Sequence, residues 1–285
     1  MFGEKLDTFI LDFLTHNKNL KHESDIQSSS ERLSTSYNPS SEDFDKFISR
    51  AGKNFNWNGK KVLDVACGKG DFIHFLSKNG VSKAVGIDIQ SENILVAKSH
   101  ALSEGRNNSD FIHGDFFKWE TNEKFDYVVS NEALDHIPNV YKALDKMKNL
   151  INDDGAIINI CGEFWKGPNA DHCGGFMKIF IPWRHLIFNE KAVFNIRKKK
   201  FRPDDPGEDF KSIRGGLSKY TLSSYENSVQ KLNLNIIAHS INFQVKSLTR
   251  FPLLNKILSI VNNILLKIPF VGEYFAFSLI SVLKK

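Results

Sequence analysis

Short apolar segments alternate with longer amphipathic ones in the central part of the chain. Five short apolar runs predict β-strands: Lys61–Ala66, Ala84–Asp88, Ser109–His113, Phe125–Ser130 and Ala156–Ile160. Segments with helical spacing separate them and predict α-helices: Phe72–Ser77, Ser91–Leu102 with Ser91 as its N-cap, and Asn139–Leu150. A turn at Asn152–Gly155 would precede the fifth strand. This alternation is typical of βαβ units, so we expect a parallel sheet with helices on both faces.

The regions on either side of this core follow other patterns. Helical spacing predicts an amphipathic helix over Glu4–Leu14 with this apolar face: Leu6, Phe9, Ile10, Phe13 and Leu14. A Ser-rich loop over Ser28–Ser41 and a helix over Glu42–Ala51 would follow. Prolines and glycines interrupt Gly162–Leu222, which predicts an insertion outside the sheet. The remaining pattern predicts a helix, two strands and an apolar helical stripe: Leu222–Leu232, Leu234–Phe243, Tyr274–Val282 and Leu254–Ile268.

The first predicted strand runs directly into a glycine turn. Gly68 and Gly70 allow a sharp bend and a close approach to a ligand, and the following helix offers free N–H groups. Asp88, at the tip of the second strand, lies 18 residues beyond Gly70, a spacing at which a carboxylate can accept hydrogen bonds from ribose hydroxyls. A dinucleotide fingerprint would require glycine at Ile73. The turn therefore favours a nucleoside cofactor without a pyrophosphate.

The third strand ends in a second polar group. Asp115 and Phe116 follow His113 and Gly114 at this edge of the predicted sheet. A carboxylate here can accept a hydrogen bond from an adenine amino group, while an aromatic ring packs on the base. The pattern is consistent with an adenosine-containing ligand.

These segments together resemble the successive motifs of class I S-adenosylmethionine-dependent methyltransferases. The matching segments are Leu63–Gly70, Gly86–Asp88, Gly114–Phe116 and Phe125–Ser130, in the usual order and spacing. The resemblance covers about residues 60–161 and implies a Rossmann-like, seven-stranded α/β sheet. In that fold the last strand is antiparallel and inserted between the fifth and sixth. The first glycine of the family's first motif is Ala66 here, and we expect cofactor binding to survive because alanine is small.

The resemblance also implies the cofactor, its contacts and a division of the chain. Residues expected to contact S-adenosylmethionine run from its methionine portion to its adenine: Asp64, Ala66, Gly68, Gly70, Asp88, Ile89, Asp115 and Phe116, with Asn131 near the sulfonium. The expected units are an N-terminal helical cap and Ser-rich linker (1–59), the cofactor-binding core (60–161), a substrate-cap insertion (162–233), and C-terminal strands with an amphipathic helix that complete the sheet (234–285).

Candidate catalytic residues follow the fourth strand and lie in the insertion. Methyl transfer is an in-line displacement, and a hydroxyl acceptor must also lose its proton. The acid–histidine pair Asp135 and His136 resembles that of small-molecule methyltransferases, including those of quinone biosynthesis. His136 is the candidate base, Asp135 would orient it, and His172 is a further candidate in a Gly-rich loop. In the alternative interpretation, His136 positions the loop and Asp135 caps the next helix.

The insertion contains two further candidate residues, and the motifs and net charge reduce the range of expected substrates. Tyr220 is a further candidate, whereas the apolar setting of His185 favours packing. No Asn/Asp-Pro-Pro-aromatic sequence, which is typical of enzymes that methylate adenine or amides, follows the fourth strand. The net charge is only +5, and the basic run Arg197–Lys200 precedes a group of acids, so we interpret it as a solvated, self-compensating surface segment and expect no nucleic-acid partner.

Cysteine content and hydropathy predict the chemical environment of the protein. Three cysteines without a CxxC pair favour a reducing cytoplasm and predict neither a disulfide framework nor a metal site. Polar residues break the apolar stretch Phe251–Val282, so no transmembrane helix is expected, although peripheral membrane contact stays open. The sequence does not define the oligomeric state.

The leading hypothesis is a methyltransferase that moves the methyl group of S-adenosylmethionine to a small molecule, most simply to oxygen. The acceptor could be apolar, a sugar or lipid-linked, because the chain contains 24 phenylalanines. Two alternatives stay open. One is a methyltransferase of RNA or protein, which should show a basic face, and the other is a module that binds the cofactor and regulates a partner.

Overall fold

The computed structural model describes the alternating core and most of the flanking segments. The described residues are 2–16, 55–162, 164–173, 177–179, 181–200, 206–213, 216–242, 260–261, 264–265, 268 and 270–285. The predicted Ser-rich loop Ser28–Ser41, the predicted helix Glu42–Ala51 and most of the stripe Leu254–Ile268 lie outside these residues. Among the described residues, no helix has both the length and the apolar content needed to cross a bilayer.

Strands and helices alternate along the described chain. The strands are β1 (Lys61–Val65), β2 (Lys83–Asp88), β3 (Ser109–His113), β4 (Phe125–Asn131), β5 (Ile151–Gly162), β6 (Asn235–Asn242) and β7 (Ser278–Lys284). The helices are α1 (Phe2–Leu14), α2 (Asp71–Lys78), α3 (Ser91–Ser103), α4 (Val140–Leu150), α5 (Arg184–Ile187), α6 (Glu190–Lys200), α7 (Leu222–Lys231) and α8 (Gly272–Phe275). A short 3₁₀ turn covers Leu134–His136.

The seven strands form one sheet in the order β3-β2-β1-β4-β5-β7-β6. The pairs from β3 to β5 are parallel, and β7 lies antiparallel between β5 and β6. The predicted Rossmann-like α/β sheet and its inserted antiparallel strand are confirmed. Because parallel strands bring their carboxyl ends to one edge, the residues that follow β1, β2 and β4 meet there.

Helices cover both faces of the sheet, as the apolar strands require. On one face Leu63 of β1 packs in the same cluster as Leu144 of α4 and Tyr225 of α7. On the other face Val62 packs with Ile73 of α2 and residues of α3. Adjacent residues of β1 thus enter opposite cores, because side chains alternate across a strand.

Three sequence-based boundaries are wrong. The predicted turn Asn152–Gly155 belongs to β5, which begins at Ile151 and carries a register shift opposite the start of β4. The predicted strand at Tyr274 begins only at Ser278, because residues 272–275 form a short helix. Ser91 is the first residue of α3 and not its N-cap; Gln90 holds that position without a side-chain hydrogen bond.

The helix α1 packs against the insertion. Leu11 of α1 shares a buried cluster with Met177, Phe194 and Phe210, and Thr15 forms an isolated antiparallel bridge with Met177. The predicted apolar face is wrong in part. Its members Leu6, Phe9 and Phe13 are 57%, 73% and 71% exposed, while Leu11, which it omitted, is buried.

The basic run Arg197–Lys200 is only in part the solvated surface segment that the sequence suggests, because Lys199 is 68% exposed while two other members are not. Arg197 and Lys200 are buried. Nζ of Lys200 and of Lys199 each lie 3.2 Å from Asp12 Oδ1 of α1. Burial raises the pKa of Asp12, but the hydrogen bonds and charges of the two lysines together lower it below its usual value. Lys198 donates to the carbonyl of Gly207 at 2.8 Å. The run joins α6 to its neighbours, and two of its four cations, Lys199 and Lys200, pair with the same carboxylate of Asp12.

Candidate functional site

The turn after β1 has the left-handed backbone that its glycines allow. Gly68 and Gly70 have φ values of 54° and 79°, and Ala66 has φ 59°. Glycine adopts this conformation without cost, whereas alanine loses about 1 kcal/mol or more. Ala66 therefore holds the geometry of the motif's first glycine at a small conformational cost.

The two glycines are required for different reasons. A Cβ on Gly70 would lie 2.4 Å from Cε1 of the buried Phe111, so packing between α2 and β3 excludes any side chain there. A Cβ on Gly68 would meet no atom of the described residues within 4 Å. The space beside Gly68 is open in this part of the structure, as a turn that receives a ligand requires.

Asp88 connects the tips of β1 and β2. Its two carboxylate oxygens accept the backbone N–H groups of Gly68 at 2.9 Å and Gln90 at 2.8 Å. An ionised carboxylate offers about four acceptor sites. About two acceptor sites therefore stay available for ribose hydroxyls. Ile89, the next residue, is 66% exposed at the same edge.

Asp64 is a buried acid that lacks a partner for one oxygen. Its Oδ1 has no hydrogen-bond partner among the described residues. Burial raises the pKa of Asp64 well above its usual value, and the nearby Asp88 carboxylate raises it further. A cationic group would relieve both effects, and the ammonium of the methionine portion of S-adenosylmethionine is such a group. The open space at Gly68 and this orphaned oxygen together fit that cofactor.

The β3 edge fits an adenine less directly. Asp115 accepts the N–H of Phe117 through Oδ1 at 2.9 Å and is partly exposed. The ring of Phe116 is buried in the core, and Lys146 Nζ lies 5.3 Å from its centroid. Contact between these two residues and adenine stays a prediction.

β4 carries polar residues to the same edge as β1. Asn131 is the last residue of β4 and is partly buried, whereas the sequence pattern ends the strand at Ser130. Ser130, next to it, is fully buried and its hydroxyl has no partner in the described part of the chain, which sequence pattern alone did not indicate. Glu132 follows with φ 53°, and the chain there turns away from the sheet. The role of Asn131 near the sulfonium stays a prediction.

The three candidate catalytic residues form one cluster. Asp135 Oδ2 lies 3.4 Å from Nε2 of His136 and 3.1 Å from Nε2 of His172. Asp135 is buried, and within the described ranges its second oxygen, Oδ1, has no hydrogen-bond partner. The cluster joins the loop after β4 to the insertion, from segments 36 residues apart.

A backbone carbonyl fixes the tautomer of His136. Its Nδ1 lies 2.7 Å from the carbonyl oxygen of Gly216, and a carbonyl can only accept. Nδ1 therefore carries the proton, and in the neutral ring Nε2, 3.4 Å from Asp135 Oδ2, carries the lone pair. No local sequence signal identifies Gly216 as this partner, because it lies 80 residues away.

The same cluster has the composition of a metal-ligand set. The donor atoms of Asp135, His136 and His172 lie within 4.8 Å of one another. Two imidazoles and one carboxylate suit divalent transition metals. The prediction of no metal therefore needs a direct test by chelation.

The remaining candidates have packing roles. Tyr220 is buried. Burial is the main cause that raises its pKa well above the usual value, and the nearby Cys161 raises it further, so the phenol stays protonated and does not act as a base. Nε2 of His185 lies 2.6 Å from the carbonyl oxygen of Trp165, and burial lowers the pKa of this histidine. Both agree with a structural role.

Comparisons with known proteins identify the domain. A family model described as "Methyltransferase domain" matches residues 57–169. The ubiquinone biosynthesis O-methyltransferase of Glaesserella parasuis is 36% identical over 105 residues, which are 35% of this chain and 44% of that protein. The mitochondrial ubiquinone biosynthesis O-methyltransferase of Dictyostelium discoideum is 34% identical over 110 residues, 35% of this chain and 34% of its own length. The chain thus spans less than half the length of these curated relatives.

Solved structures share the fold. An S-adenosylmethionine-dependent methyltransferase from Mesorhizobium loti superposes with a TM-score of 0.55 at 14% identity, over 84% of this chain and 97% of that one. The geranyl diphosphate C-methyltransferase of Streptomyces coelicolor gives 0.54 at 10% identity, over 94% and 86%. At these identities the comparison concerns the fold alone.

Fold, turn geometry and family model agree. This chain contains a class I S-adenosylmethionine-dependent methyltransferase domain, and its methyl donor is S-adenosylmethionine. The predicted family, fold and cofactor are confirmed. The individual cofactor contacts stay predictions supported by the geometry described above.

Proposed function

We propose that this chain methylates a hydroxyl oxygen of a small molecule and that His136 is the base. The matched relatives are named O-methyltransferases of ubiquinone biosynthesis. Bound S-adenosylmethionine supplies a methyl group on a sulfonium that is already activated for displacement. The protein must position the acceptor and remove its proton.

One observation carries the proposal: the hydrogen bond from His136 Nδ1 to Gly216 directs the basic Nε2 toward the cluster. The acceptor O–H would donate its proton to Nε2, and the resulting oxyanion would attack the methyl carbon as the carbon–sulfur bond breaks. The imidazolium formed at Nε2 then faces the Asp135 carboxylate at 3.4 Å. That carboxylate stabilises the charged ring without taking the proton.

The residues around the cluster favour an apolar, aromatic acceptor. The rings of Phe164 and Tyr220 are tilted to each other with centroids 5.0 Å apart, and Trp165 contacts His185 and Phe210. Lys219 Nζ lies 4.6 Å from the centroid of Trp165. Of these aromatic residues only Trp165 is partly exposed, and its ring suits a phenolic acceptor better than a sugar, because a phenol buries apolar area and stacks.

The test combines labelled S-adenosylmethionine with a panel of catechols and other phenols, and compares wild type with His136→Gln. We expect the wild type to label a low-mass phenol and the variant to lose about 10²- to 10⁴-fold in kcat, the usual contribution of general base catalysis. Calorimetry with S-adenosylhomocysteine should give the same affinity for both proteins.

His239→Gln is the matched control. His239 Nε2 lies 3.8 Å from Glu226, so it is another acid–histidine pair, but it lies on β6 at the far edge of the sheet. It should keep wild-type activity. Binding of S-adenosylhomocysteine without transfer to any phenol would contradict the proposal and favour the regulatory module. Transfer only to RNA or protein would favour the macromolecular alternative, which the internal bonds of Arg197–Lys200 oppose.

A further inference from the structure

His172 reaches the cluster from a loop with an unusual backbone. The residue has φ 57°, a left-handed conformation that side chains other than glycine rarely adopt. Such a conformation costs about 1–3 kcal/mol and persists where the surrounding structure enforces it. The segment Asn169–Cys173 must therefore contain the interactions that hold His172 in place.

Hydrogen bonds close this loop tightly around His172. The N–H of His172 donates to the carbonyl of Asn169 at 2.9 Å. The N–H of Cys173 donates to Oδ1 of Asp171 at 3.1 Å, an Asx turn centred on His172. The side chain of Asp171 thus constrains the backbone on both sides of the histidine.

One guanidinium binds two residues of this loop that precede His172. Nη2 of Arg184 donates to Oδ1 of Asn169 at 2.6 Å and forms an ion pair with Oδ1 of Asp171. Nη1 of Arg184 donates to the carbonyl of Ile181 at 3.1 Å, which anchors the guanidinium beside the start of α5. This side chain therefore attaches the loop that carries His172 to α5, beside the backbone hydrogen bond from the Trp183 N–H to the Pro168 carbonyl.

The burial of the ion pair is informative. The side chains of Asp171 and Arg184 are both 0% exposed. Desolvation of two charges offsets most of their attraction, so apolar residues of similar volume would give comparable or greater stability. Stability alone does not explain a charged pair at this place. Its directional bonds to the flanks of His172 do.

We propose that Asp171 and Arg184 are positioning residues that hold His172 against Asp135. This inference rests on the proposed function. His172 Nε2 lies 3.1 Å from Asp135 Oδ2, an ion-pair distance at which the protonated ring holds that carboxylate opposite His136. When His136 receives the acceptor proton, the carboxylate is already aligned with the new charge. Without His172 in place, Asp135 can rotate about its side-chain bonds.

The main test is the double variant Asp171→Asn/Arg184→Met, which removes both charges together and avoids leaving one buried and unpaired. The introduced side-chain amide still offers an oxygen to the Cys173 N–H. We expect about a 10- to 100-fold loss in kcat, as is usual when a supporting residue of a reactive group is lost. KM for the phenol and affinity for S-adenosylhomocysteine should change less than about threefold, since these residues do not contact either ligand.

A thermodynamic cycle separates positioning from general damage. If the pair acts through His172, the double variant should have little further effect on kcat in a His172→Gln background. Multiplicative losses would overturn the proposal. Arg184→Lys keeps the positive charge but lacks the planar guanidinium with its several N–H donors, and it should be more active than the double variant.

Histidine side-chain NMR of the protein without substrate provides a readout that does not depend on turnover. In wild type the His172 Nε2 signal should reflect the close contact with the Asp135 carboxylate, and in the double variant it should move to the value of a solvated imidazole. Arg106→Lys is the matched control, because Arg106 is another largely buried arginine with a carboxylate partner, Glu104, far from the cluster. It should leave the His172 signal unchanged.

The outcomes distinguish this inference from the proposed function. If wild type methylates no phenol but the His172 signal moves as expected, the positioning role stands and the proposed reaction fails. An unchanged His172 signal in a folded double variant would overturn the positioning role even if the wild type is active. A change of the wild-type His172 Nε2 signal on chelation would identify a metal bound to this nitrogen in place of the direct contact with Asp135, and would also overturn the positioning role.

Discussion

The cofactor turn and the acceptor-side cluster are built in different ways. The cofactor turn, Ala66–Gly70, is one short segment held by the ends of adjacent parallel strands, and its key acid Asp88 bonds its backbone directly. The acceptor-side cluster, Asp135 with His136 and His172, is assembled from two distant segments and held by a third at Gly216. The first depends on backbone shape, and the second on side-chain position. Variants of the two should therefore fail differently.

Gly70→Ala should have the largest effect of the variants that test this comparison. The added Cβ would meet Phe111 at 2.4 Å and the backbone has φ 79°. Strain and overpacking together should cost about 2–5 kcal/mol of unfolding free energy and remove cofactor binding. Urea unfolding and calorimetry measure the two effects.

Gly68→Ala and Gly105→Ala separate the contributions at the turn. Both positions have positive φ, and in both a Cβ would meet no atom of the described chain within 4 Å. Each should lose about 1 kcal/mol of stability. Only Gly68→Ala should weaken S-adenosylhomocysteine binding. Equal binding by these two variants would show that the open space beside Gly68 does not receive the cofactor.

Asp135→Asn should affect turnover and spare the cofactor. The amide keeps the shape of the buried side chain but cannot stabilise an imidazolium at His136, so kcat should fall about 10²- to 10⁴-fold. Affinity for S-adenosylhomocysteine should stay within about twofold. A parallel loss of both would show that the two regions are one functional unit.

Replacing Asp64 by asparagine should instead weaken cofactor binding. The pKa of Asp64 is raised by burial and by Asp88, so its charged form destabilises the fold without cofactor. Asp64→Asn should raise stability at neutral pH by about 1 kcal/mol while weakening cofactor binding. In wild type without cofactor, Asp64 is neutral in both the folded and the unfolded state below about pH 4, its pKa in the unfolded chain, and the protein is then most stable with respect to this group. This stability is lost as the pH rises through the raised pKa of the folded state. Urea titrations of both proteins across this range would show the dependence only in wild type.

Ala66→Gly should give the smallest effect. Glycine removes the strain at φ 59° but gains entropy in the unfolded chain, so the net change should be under about 1 kcal/mol and stabilising. Binding of S-adenosylhomocysteine should be unchanged or slightly tighter. A clear loss of stability would mean that the methyl group of Ala66 packs usefully.

The cofactor region could be predicted from sequence because its signals are local. Gly68, Gly70 and Asp88 follow strands whose apolar runs are evident, and parallel pairing brings them together without further information. The boundary errors also have local causes. Residues 152–155 read as a turn because they are polar, yet they continue β5 where one end of the strand is partly exposed.

For the acceptor region, the sequence predicts the individual candidate residues but not that they contact one another. Asp135, His136 and His172 were candidates by type, but their contact depends on how the insertion folds back over β4. Nothing near His136 in sequence points to Gly216. The role of Lys200 was misjudged for the same reason: its partner Asp12 is 188 residues away, on a helix whose buried residue Leu11 lay outside the predicted stripe.

The central position of β7 has a consequence for synthesis of the protein. β6 emerges from the ribosome before β7, yet its place in the sheet is reached only through β7, which pairs with β5 on its other side. A nascent chain that ends before Ser278 therefore exposes the unpaired edge of β5 and leaves β6 without a neighbour. Such edges promote intermolecular pairing, so stalled or prematurely terminated chains should be the species that aggregate and recruit chaperones.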